Sequence, residues 1–547
     1  MTIKRYVANA DTTITNAFEA NLTTRGTGSN MGLSDTLEVF SIYGQTVSGS
    51  SATNTAELSR TLVNFPVSTI ATDRTNGDIP ASGSVDFYLR MFNAEHSFSV
   101  PRNFTLSASA ITKDWEEGYG LDMEGYRDLT DDGTGANWIR ASESQAWTRP
   151  GADYDVHPTS SFEQTFTNGI EDLEMNITPL VEQWLNSAGN VYGDKSSARY
   201  GIGVYLTSSQ EAKYEDTDIV DGFLGLLKNP TGSTDSYYTK KFFARGSEYF
   251  FKRPLIEARW DSSKKDNRDN FYLSSSLATG ADNLNTLYLY NYVRGQLKNI
   301  PNLGGPESEG NATRTKLEVK IYPTLGGAAT SLPVDGVGSV TRDGSYVITA
   351  SYVDTGIYSA SFAYTGSETT IYDVWITGSS GTGARDSSQG AGAGYKEFHT
   401  GSAITVKTLD SYDYNPNDKY VTSIPNLKSI YSNKESGRFR LFTRKKDWSP
   451  TIYSKATADA ETEIIEDAYY KVYRIYDDLT VIDYGTGSLN HTRMSYDMSG
   501  SYFDLDMSMF EADYMYGIKV IYYLNDKYME QPKVFKFRVE KDLTDIE

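Results

Sequence analysis

The sequence reads WEEG at Trp115–Gly118, NWIRA at Asn137–Ala141 and AWTRPGADYD at Ala146–Asp155. Three further motifs follow within the same block, which extends from Leu106 to Trp260: NITPLVEQWL at Asn176–Leu185, FFAR at Phe242–Arg245 and RPLIEARW at Arg253–Trp260. Large aromatic side chains stabilise packed β-sheets because each ring buries a large apolar area. The block therefore predicts a β-sandwich held together by aromatic residues. It contains no catalytic signature, which favours binding or building over chemistry.

The length and the charge of the chain limit what it can be. With 547 residues the chain is too long for one hydrophobic core, so about three domains are expected. Lys plus Arg number 51 and Asp plus Glu number 72, which gives a net charge of −21. This charge repels nucleic-acid phosphates and disfavours general DNA or RNA binding. It also favours solubility at high local copy number.

The residue types suit an all-β protein without covalent sulfur chemistry. Tyr numbers 41 and Gly 46, a mixture typical of half-buried strands joined by tight turns. Cysteine is absent, which excludes disulfides, thiolate metal sites and a cysteine nucleophile. We therefore expect stability to come from packing and strand pairing alone.

Neither a secretory signal nor a membrane span is predicted. The opening residues Met1–Tyr6 lack an apolar region. The longest uninterrupted apolar stretch, near Phe223–Leu227, is far shorter than a membrane span. We expect a protein that is made in the cytoplasm and leaves the cell, if at all, by a route such as lysis.

Alternation of apolar and polar residues predicts strands with one dry and one solvated face. The apolar sets are Phe87, Leu89 and Met91; Leu317, Val319 and Ile321; Tyr346, Ile348, Ala350 and Tyr352; Tyr358, Ala360, Phe362 and Tyr364; and Phe535, Phe537 and Val539. In the second set, Glu318 and Lys320 are expected on the wet face.

One helix is predicted, over residues 178–187. Thr178 is a suitable cap and Pro179 suits the first helical position. Leu180, Val181, Trp184 and Leu185 then share one side, and Gly189 is expected to end the helix. A short helix closing the open end of a sandwich is the expected use.

Composition also predicts where the domains divide. Ser262–Asp269 is charged and poor in apolar residues, Gly378–Gly394 is rich in Gly, Ser and Ala, and Asp410–Asn417 contains turn residues. The first and last of these are expected at boundaries, and the second is expected to be a long loop. The predicted domains are a large jelly-roll-like sandwich at 1–262 and two Ig-like sandwiches at 266–408 and 420–547.

The order of motifs in residues 1–262 resembles the DNRLRE-type β-sandwich domain, a carbohydrate-binding-module-like fold. The matching elements are an opening strand at Tyr6–Ile14, the WEEG turn, the stretch Trp147–Gly151, the Thr178–Trp184 helix and the closing Arg253–Leu255 strand. Trp147–Gly151 is one residue longer than the usual spacing. The resemblance implies a sandwich that either binds sugars or serves as a building block.

The remaining sequence, including Leu284–Gly295, resembles the large β-rich virion structural proteins of tailed phages, with marine myoviruses the nearest likeness. This resemblance implies an accessory protein of the head, neck, tail or baseplate. The absence of a signal peptide and of cysteine, the acidic charge and the serial sandwiches are consistent with it.

The candidates for catalysis by histidine or for nucleotide binding are weak. His96, His157, His399 and His491 are spread over the three predicted domains, so no triad or metal cluster is expected. Gly201-Ile202-Gly203 lacks the third glycine of a dinucleotide fingerprint, and no Walker A sequence occurs. No catalytic, cofactor-binding or metal-binding residue is predicted.

Two acidic motifs imitate functional sites. Asp128-Leu129-Thr130-Asp131-Asp132-Gly133 resembles the start of a calcium loop, but its twelfth position is Ile139 and lacks the bidentate carboxylate. We expect a solvated turn, with calcium as the alternative. Glu116 and Glu117 suggest a glycosidase acid, yet adjacent strand residues point to opposite faces, so an outward acidic turn is expected instead.

The tryptophans allow two interpretations. Trp115, Trp138, Trp147 and Trp184 either form a platform that stacks on sugar rings or pack in the core with each N–H donated to a carbonyl. We expect core packing, because Trp184 lies on the apolar side of its helix. The tyrosine-rich strands suit protein–protein contacts.

These observations favour a non-enzymatic virion structural protein of a tailed phage, which decorates or bridges the neck, tail or capsid in a homo-oligomer or other symmetric assembly. The main alternative is a carbohydrate-binding adhesin that recognises host surface glycans. A polysaccharide hydrolase is a third class, with no supporting pair of carboxylates.

Overall fold

The computed structural model describes residues 3–18, 25–44, 56–96, 100–121, 134–186, 200–214, 227–300, 316–325, 331–335, 339–342, 345–378, 396–408, 419–446 and 462–542. These residues form serial β-sandwiches, which confirms the predicted all-β class. Neither helix among them is long and apolar enough to cross a membrane.

Residues 3–259 form the strands of the first unit. They are β1 (Ile3–Val7), β2 (Ala10–Thr15), β3 (Thr36–Ile42), β4 (Glu57–Asn64), β5 (Asp86–Met91), β6 (Phe104–Ile111), β7 (Tyr154–Asp155), β8 (Ser161–Phe166), β9 (Leu173–Asn176), β10 (Ile202–Leu206), β11 (Tyr237–Phe243) and β12 (Leu255–Arg259). A four-stranded sheet has the order β1-β12-β5-β9. A large sheet has the order β11-β3-β4-β10-β6-β7, with β2 on β4 and β8 on β6.

The large sheet is buried on both of its faces, so the first unit has two cores. Between the two sheets, the predicted β5 residues Phe87, Leu89 and Met91 form the main core with residues such as Leu106. On the opposite face, Leu58 and Leu62 pack in an outer core formed largely by loop residues. Successive strand residues point to opposite faces, which is why alternate positions of β4 serve different cores.

Two helices close one side of the first unit. The predicted one is α2 (Thr178–Leu185), and it buries Leu180, Val181 and Trp184 as expected. The capping prediction was wrong: the Thr178 hydroxyl accepts the Phe87 N–H at 2.8 Å and does not cap the helix. The helix ends at Leu185, and Gly189 lies outside the described residues.

The other helix, α1 (Val67–Asn76), was not predicted from the sequence. It is rich in Thr and β-branched residues, which lower helix propensity. Gly77 ends it in the left-handed conformation, with φ 81°. Arg74 makes a bidentate pair with Glu182 of α2, at 2.6 and 2.7 Å, and so joins the two helices.

Residues 271–407 form a second, Ig-like sandwich. Its strands are β13 (Phe271–Tyr272), β14 (Asn285–Tyr290), β15 (Tyr292–Val293), β16 (Gln296–Leu297), β17 (Lys316–Tyr322), β18 (Val334–Asp335), β19 (Ser339–Arg342), β20 (Ser345–Thr349), β21 (Ser351–Asp354), β22 (Ile357–Tyr364), β23 (Thr370–Gly378), β24 (Lys396–Thr400) and β25 (Ile404–Lys407). One sheet has the order β13-β25-β23-β17-β20-β19, with β24 on β23, and faces a sheet built on β14-β22-β18, with β21 on β22.

Two strand predictions in this unit need correction. Glu318 and Lys320 are buried, so β17 has no wet face; Tyr322, Val374 and Ile376 form a small second cluster within this sheet. The single strand predicted through Tyr346–Tyr352 is interrupted at Ala350. Its two parts, β20 and β21, pair in different sheets although they pack on one core.

Residues 420–540 form a third sandwich. Its strands are β26 (Tyr420–Ser423), β27 (Ile430–Ser432), β28 (Ser436–Lys445), β29 (Ala468–Arg474), β30 (Thr480–Ile482), β31 (Ser495–Asp497), β32 (Gly500–Asp506), β33 (Met515–Leu524), β34 (Lys527–Glu530) and β35 (Phe535–Glu540). The orders are β26-β28-β32-β31 and β27-β35-β33-β29-β30, with β34 on β33. In both Ig-like units an early strand pairs in parallel with the last strand, β13 with β25 and β27 with β35.

The segment Ser262–Asp269 is held firmly between the units. Lys264 O accepts the Tyr496 N–H at 3.0 Å, and Asp266 N donates to Tyr496 O at 3.2 Å, so the segment extends the edge of β31. Arg268 pairs with the buried Asp373 at 2.7 and 2.6 Å. The connection between the first two units is thus bound to the third. The stretches Asp410–Asn417 and Ser379–Gly394 lie outside the described residues.

Candidate interaction surfaces

The WEEG turn is a structural anchor of the first unit. Glu117 accepts three hydrogen bonds from the guanidinium of Arg245 of the FFAR motif, and it also accepts the Asp11 N–H at 2.9 Å. Asn30 binds the same turn, donating to Glu117 O at 2.7 Å and accepting from Gly120 N at 3.0 Å. Glu116 is exposed. Burial, together with the charge of Glu117, raises the pKa of Asp11 to about 7, so a second carboxylate lies near Glu117. The predicted outward turn describes Glu116 alone, because Glu117 is half-buried and paired with Arg245.

The four candidate tryptophans are buried. Trp115, Trp138 and Trp147 lie in the outer core, and Trp184 lies in the main core. Two of them satisfy the ring N–H as predicted: Trp115 Nε1 donates to Tyr200 O at 2.7 Å, and Trp147 Nε1 donates to Asn137 O at 2.8 Å. The prediction of core packing is confirmed, and none of these rings is available as a sugar platform.

One buried ion pair in the first unit was not predicted from the sequence. Arg60 of β4 is buried and forms a bidentate pair with the buried Glu211, at 2.9 and 2.8 Å. Its guanidinium lies 5.5 Å from the Trp138 ring centroid and 5.0 Å from that of Tyr205. Arg60 is 151 positions from Glu211 in the chain, and no local pattern reveals such a pair.

The remaining sequence candidates do not form a reactive centre in the described residues. His96 and His157 lie in loops of the first unit, His399 lies on β24, and His491 lies in the third unit. The described part of the chain contains no group of three or more His, Cys, Asp or Glu side chains placed to hold a metal ion. Residues 128–133 lie outside the described residues.

The glycines of Gly201-Ile202-Gly203 allow close packing of neighbouring chain segments. A Cβ at Gly201, where φ is 89°, would lie 2.1 Å from Val63 O, and a Cβ at Gly203 would lie 2.1 Å from the Tyr154 ring. Only glycine fits both positions, which explains the spacing without a nucleotide.

The outer face of the four-stranded sheet carries a charged network covered by the third unit. Glu257 of β12 accepts hydrogen bonds from Arg5 at 2.9 Å and Arg259 at 2.8 Å, and Arg259 also binds Glu174 at 2.8 Å. Burial would raise the pKa of Glu257, but the charges of these arginines outweigh it and hold the pKa below its usual range. Arg5 also donates to Val481 O of the third unit.

His491 of the third unit is buried near this network. Burial first, and then the charge of Arg259, lower the pKa of His491 to about 4. The histidine is therefore neutral at pH 7, as a group next to a cationic network must be. The charges on this face of the first unit therefore act on the pKa of a residue in the third unit.

Apolar contacts join the same two units. Ile3 of β1 and Phe251 are part of the hydrophobic core of the third unit. The Phe251 ring meets Tyr516 edge-on at 6.4 Å between centroids, and the Arg474 guanidinium lies 5.8 Å from its centroid. The first and third units therefore share a core and form one body.

Beside this junction lies a surface of aromatic and apolar side chains, which we call the seam patch: the exposed Tyr249, Phe250, Tyr476 and Met515, with the half-buried Tyr514. Phe250 is 41% exposed and Tyr476 is 85% exposed. Three of the members are linked through the junction: Phe250 contacts Phe251, Arg474 lies over both Phe251 and Tyr514, and Tyr476 lies 6.5 Å from Tyr514. The seam patch thus combines residues from two units beside the core that those units share.

A cleft of about 780 Å³ lies where all three units meet. Tyr288 and Tyr352 of the second unit, both half-buried, face Arg438 and Tyr502 of the third. The Arg438 guanidinium lies 4.5 Å from the Tyr502 centroid and pairs with Asp504 at 2.7 and 2.9 Å. The cleft therefore presents aromatic rings beside charged hydrogen-bonding groups.

Comparisons with known proteins add little to this description. No family model matches the chain, and no curated protein matches it. Among solved structures, a marsupial T cell receptor is 10% identical, with a TM-score of 0.15, over 42% of this chain and 65% of the receptor chain, less than two thirds of its length. A chimeric titin Z1Z2 tandem is 11% identical, with a TM-score of 0.13, over 41% of this chain and 85% of the tandem. Likenesses this weak carry no argument about function.

Proposed function

We propose that this protein is a non-enzymatic structural component of a tailed-phage virion, which decorates or bridges the neck, tail or capsid through protein–protein contacts. It is assembled in the host cytoplasm and resides in the particle. Three sandwiches joined by buried contacts, the acidic charge and the sequence resemblance to virion proteins support this proposal. Its partners are other virion proteins, including further copies of itself, and neither nucleic acid nor a membrane interior.

The seam patch is the observation that carries the proposal. Tyrosine and phenylalanine anchors dominate protein–protein interfaces because they bury large areas with little loss of side-chain entropy. The patch lies on a junction with a shared core, so little ordering is needed on binding. In a symmetric particle, each weak contact is repeated and the total affinity rises.

The test uses particles of the phage whose genome encodes the chain. A phage lacking the gene is supplied with the chain from a plasmid, and the amount incorporated is measured by quantitative mass spectrometry. We expect the double substitution Phe250→Ser and Tyr476→Ser to reduce incorporation at least about tenfold, as loss of two interface anchors predicts.

Leu277→Ser is the matched control, because Leu277 is 91% exposed and belongs to the second unit, which contributes no residue to the seam patch. It should leave incorporation unchanged. Normal incorporation of the double variant, with its fold intact by circular dichroism, would show that the seam patch is not the contact surface.

A glycan-binding adhesin is the second candidate, and the three-unit cleft is the observation that favours it. Tyrosine faces beside charged hydrogen-bonding groups suit a sugar ring. A glycan array with the full chain tests this function: binding to a defined sugar that is lost in Tyr352→Ala supports it. Absence of binding across the array counts against it.

A further inference from the structure

A wholly buried lysine lies against an asparagine in the first unit. Lys240 of β11 is 1% exposed, and its Nζ lies 2.5 Å from Asn93 Oδ1. Asn93 follows β5 in the other sheet and pairs with Phe242 through an isolated β-bridge. The two side chains therefore meet between the edges of two sheets.

The surroundings of this amine are unusual for a lysine. Among the described residues, Nζ hydrogen-bonds only to neutral oxygens: Asn93 Oδ1, and the backbone carbonyls of Gly169 and Glu171 at 2.9 Å each. The rings of Phe166 and Phe242 lie 5.2 and 5.0 Å from it. Burial lowers the pKa of Lys240 to about 8, against the opposing charges of Asp172 and Glu171. At pH 7 about a tenth of these side chains are thus the neutral, nucleophilic amine, compared with far fewer for an ordinary lysine.

The asparagine has the groups that an acyl transfer needs. His96 Nε2 lies 3.0 Å from Asn93 Oδ1, where an N–H donor would stabilise negative charge developing on that oxygen. The Asp172 carboxylate accepts the backbone N–H of Asn93 at 2.8 Å, and its charge acts on the Lys240 amine. Backbone bonds hold the strands together here, since Ala94 N donates to Lys241 O at 3.0 Å.

We propose that Lys240 and Asn93 form an intramolecular isopeptide bond. The lone pair of Nζ attacks Asn93 Cγ to form the new C–N bond, and the bond from Cγ to Nδ2 breaks. Nδ2 leaves as ammonia and takes up the proton that Nζ releases. An amine and a primary amide thus become a secondary amide and ammonia, without any oxidant or reductant. The bond would tie the two sheets covalently in a chain that has no cysteine.

The test is the intact mass of the full chain under denaturing conditions. We expect the mass to be lower than that of the sequence by one ammonia, after allowing for removal of the initiator methionine. A protease digest should contain one branched peptide that joins the segment around Lys240 to the segment around Asn93. This digest uses the protein of natural sequence, so it tests the proposal even if a variant fails to fold.

Three substitutions test which side-chain atoms form the bond. Lys240→Met and Asn93→Ala should each restore the full sequence mass. Asn93→Asp should lose water in place of ammonia, since its leaving group is a hydroxyl. Lys241→Met is the control, because Lys241 is the neighbouring lysine and pairs with Glu38 on the surface at 2.7 Å; it should keep the loss of ammonia.

Two results would overturn the proposal. One is an unmodified chain with the full sequence mass. The other is a loss of ammonia that persists in Lys240→Met, which would indicate a succinimide formed by the backbone instead of a lysine cross-link.

Discussion

Several buried charges in this protein are satisfied by partners far away in the sequence. The pair of Arg60 and Glu211 is the clearest case, because both side chains are buried and aligned in two parallel hydrogen bonds. Removing one member of such a pair leaves the other charge buried and unpaired, which costs far more than the pair itself contributes. The pair therefore fixes how the outer core is arranged.

Substituting Arg60→Met should destabilise the first unit by about 3–5 kcal/mol because it leaves Glu211 without its cation. The double variant Arg60→Met, Glu211→Leu should recover part of this loss. Denaturant unfolding measures both. Arg438→Met is the control, because Arg438 and Asp504 are an exposed pair worth less than about 1 kcal/mol. Equal losses in the two single variants would contradict the account.

Asp266 predicts a dependence of stability on pH. Burial raises the pKa of Asp266 to about 7, against the opposing effect of Arg268, while the unfolded value is near 3.8. The folded state therefore holds a proton that the unfolded state releases. Stability from this group is complete below pH 4 and is lost as the pH rises through 7.

Asp266→Asn removes this dependence. The variant should gain stability over the natural chain at pH 8, by up to about 4 kcal/mol, and should match it at pH 4. Thermal unfolding at the two pH values measures the difference, with the exposed Asp354→Asn as control. A gain that is the same at both pH values would show that titration of Asp266 is not the cause.

At the scale of elements, alternation in the sequence predicted strands well wherever one face packs in a core and the other carries polar residues. β5, β22 and β35 bury their predicted apolar residues. The prediction was wrong for β17, because a strand with Glu318 and Lys320 buried on its second face has the same pattern as a half-exposed one. Helix α1 was not predicted because its residues favour strand or turn, and here tertiary packing overrides their propensity.

The surfaces were the least predictable part. The composition indicated aromatic contacts, but the tryptophans that suggested a sugar platform are core residues. The seam patch combines Phe250 with Tyr476, and no local pattern reports that two residues so far apart in the chain share a surface. The same holds for Lys240 and Asn93.

Adjacent phenylalanines offer a matched test of the junction between the first and third units. Phe251 is 5% exposed in the core of the third unit, whereas Phe250 is in the seam patch. Phe251→Ala should cost about 3–5 kcal/mol by leaving a cavity, and Phe250→Ala should cost less than about 1 kcal/mol. Calorimetry of the full chain measures both. Similar costs for the two would contradict the shared core.

At the scale of the whole molecule, the third unit depends on the first. Its core includes Ile3 and Phe251, and its edge strand β31 pairs with the segment at Lys264. The fragment 420–547 should therefore unfold at a lower temperature than the same unit in the full chain, by at least about 4 °C for each kcal/mol lost. Circular dichroism of the fragment and calorimetry of the full chain make the comparison. Equal unfolding temperatures would show that the units are independent.

The first and third units share a core, and we propose that the aromatic rings exposed at their junction bind neighbouring proteins. We propose that the protein is part of a virion. The most direct measurement is the copy number of the chain in purified, nuclease-treated particles of the tailed phage that we propose as its source, by quantitative mass spectrometry. We predict a fixed whole number of copies per particle that survives a salt wash. Particles that lack the chain while the infected-cell lysate contains it would contradict the claim.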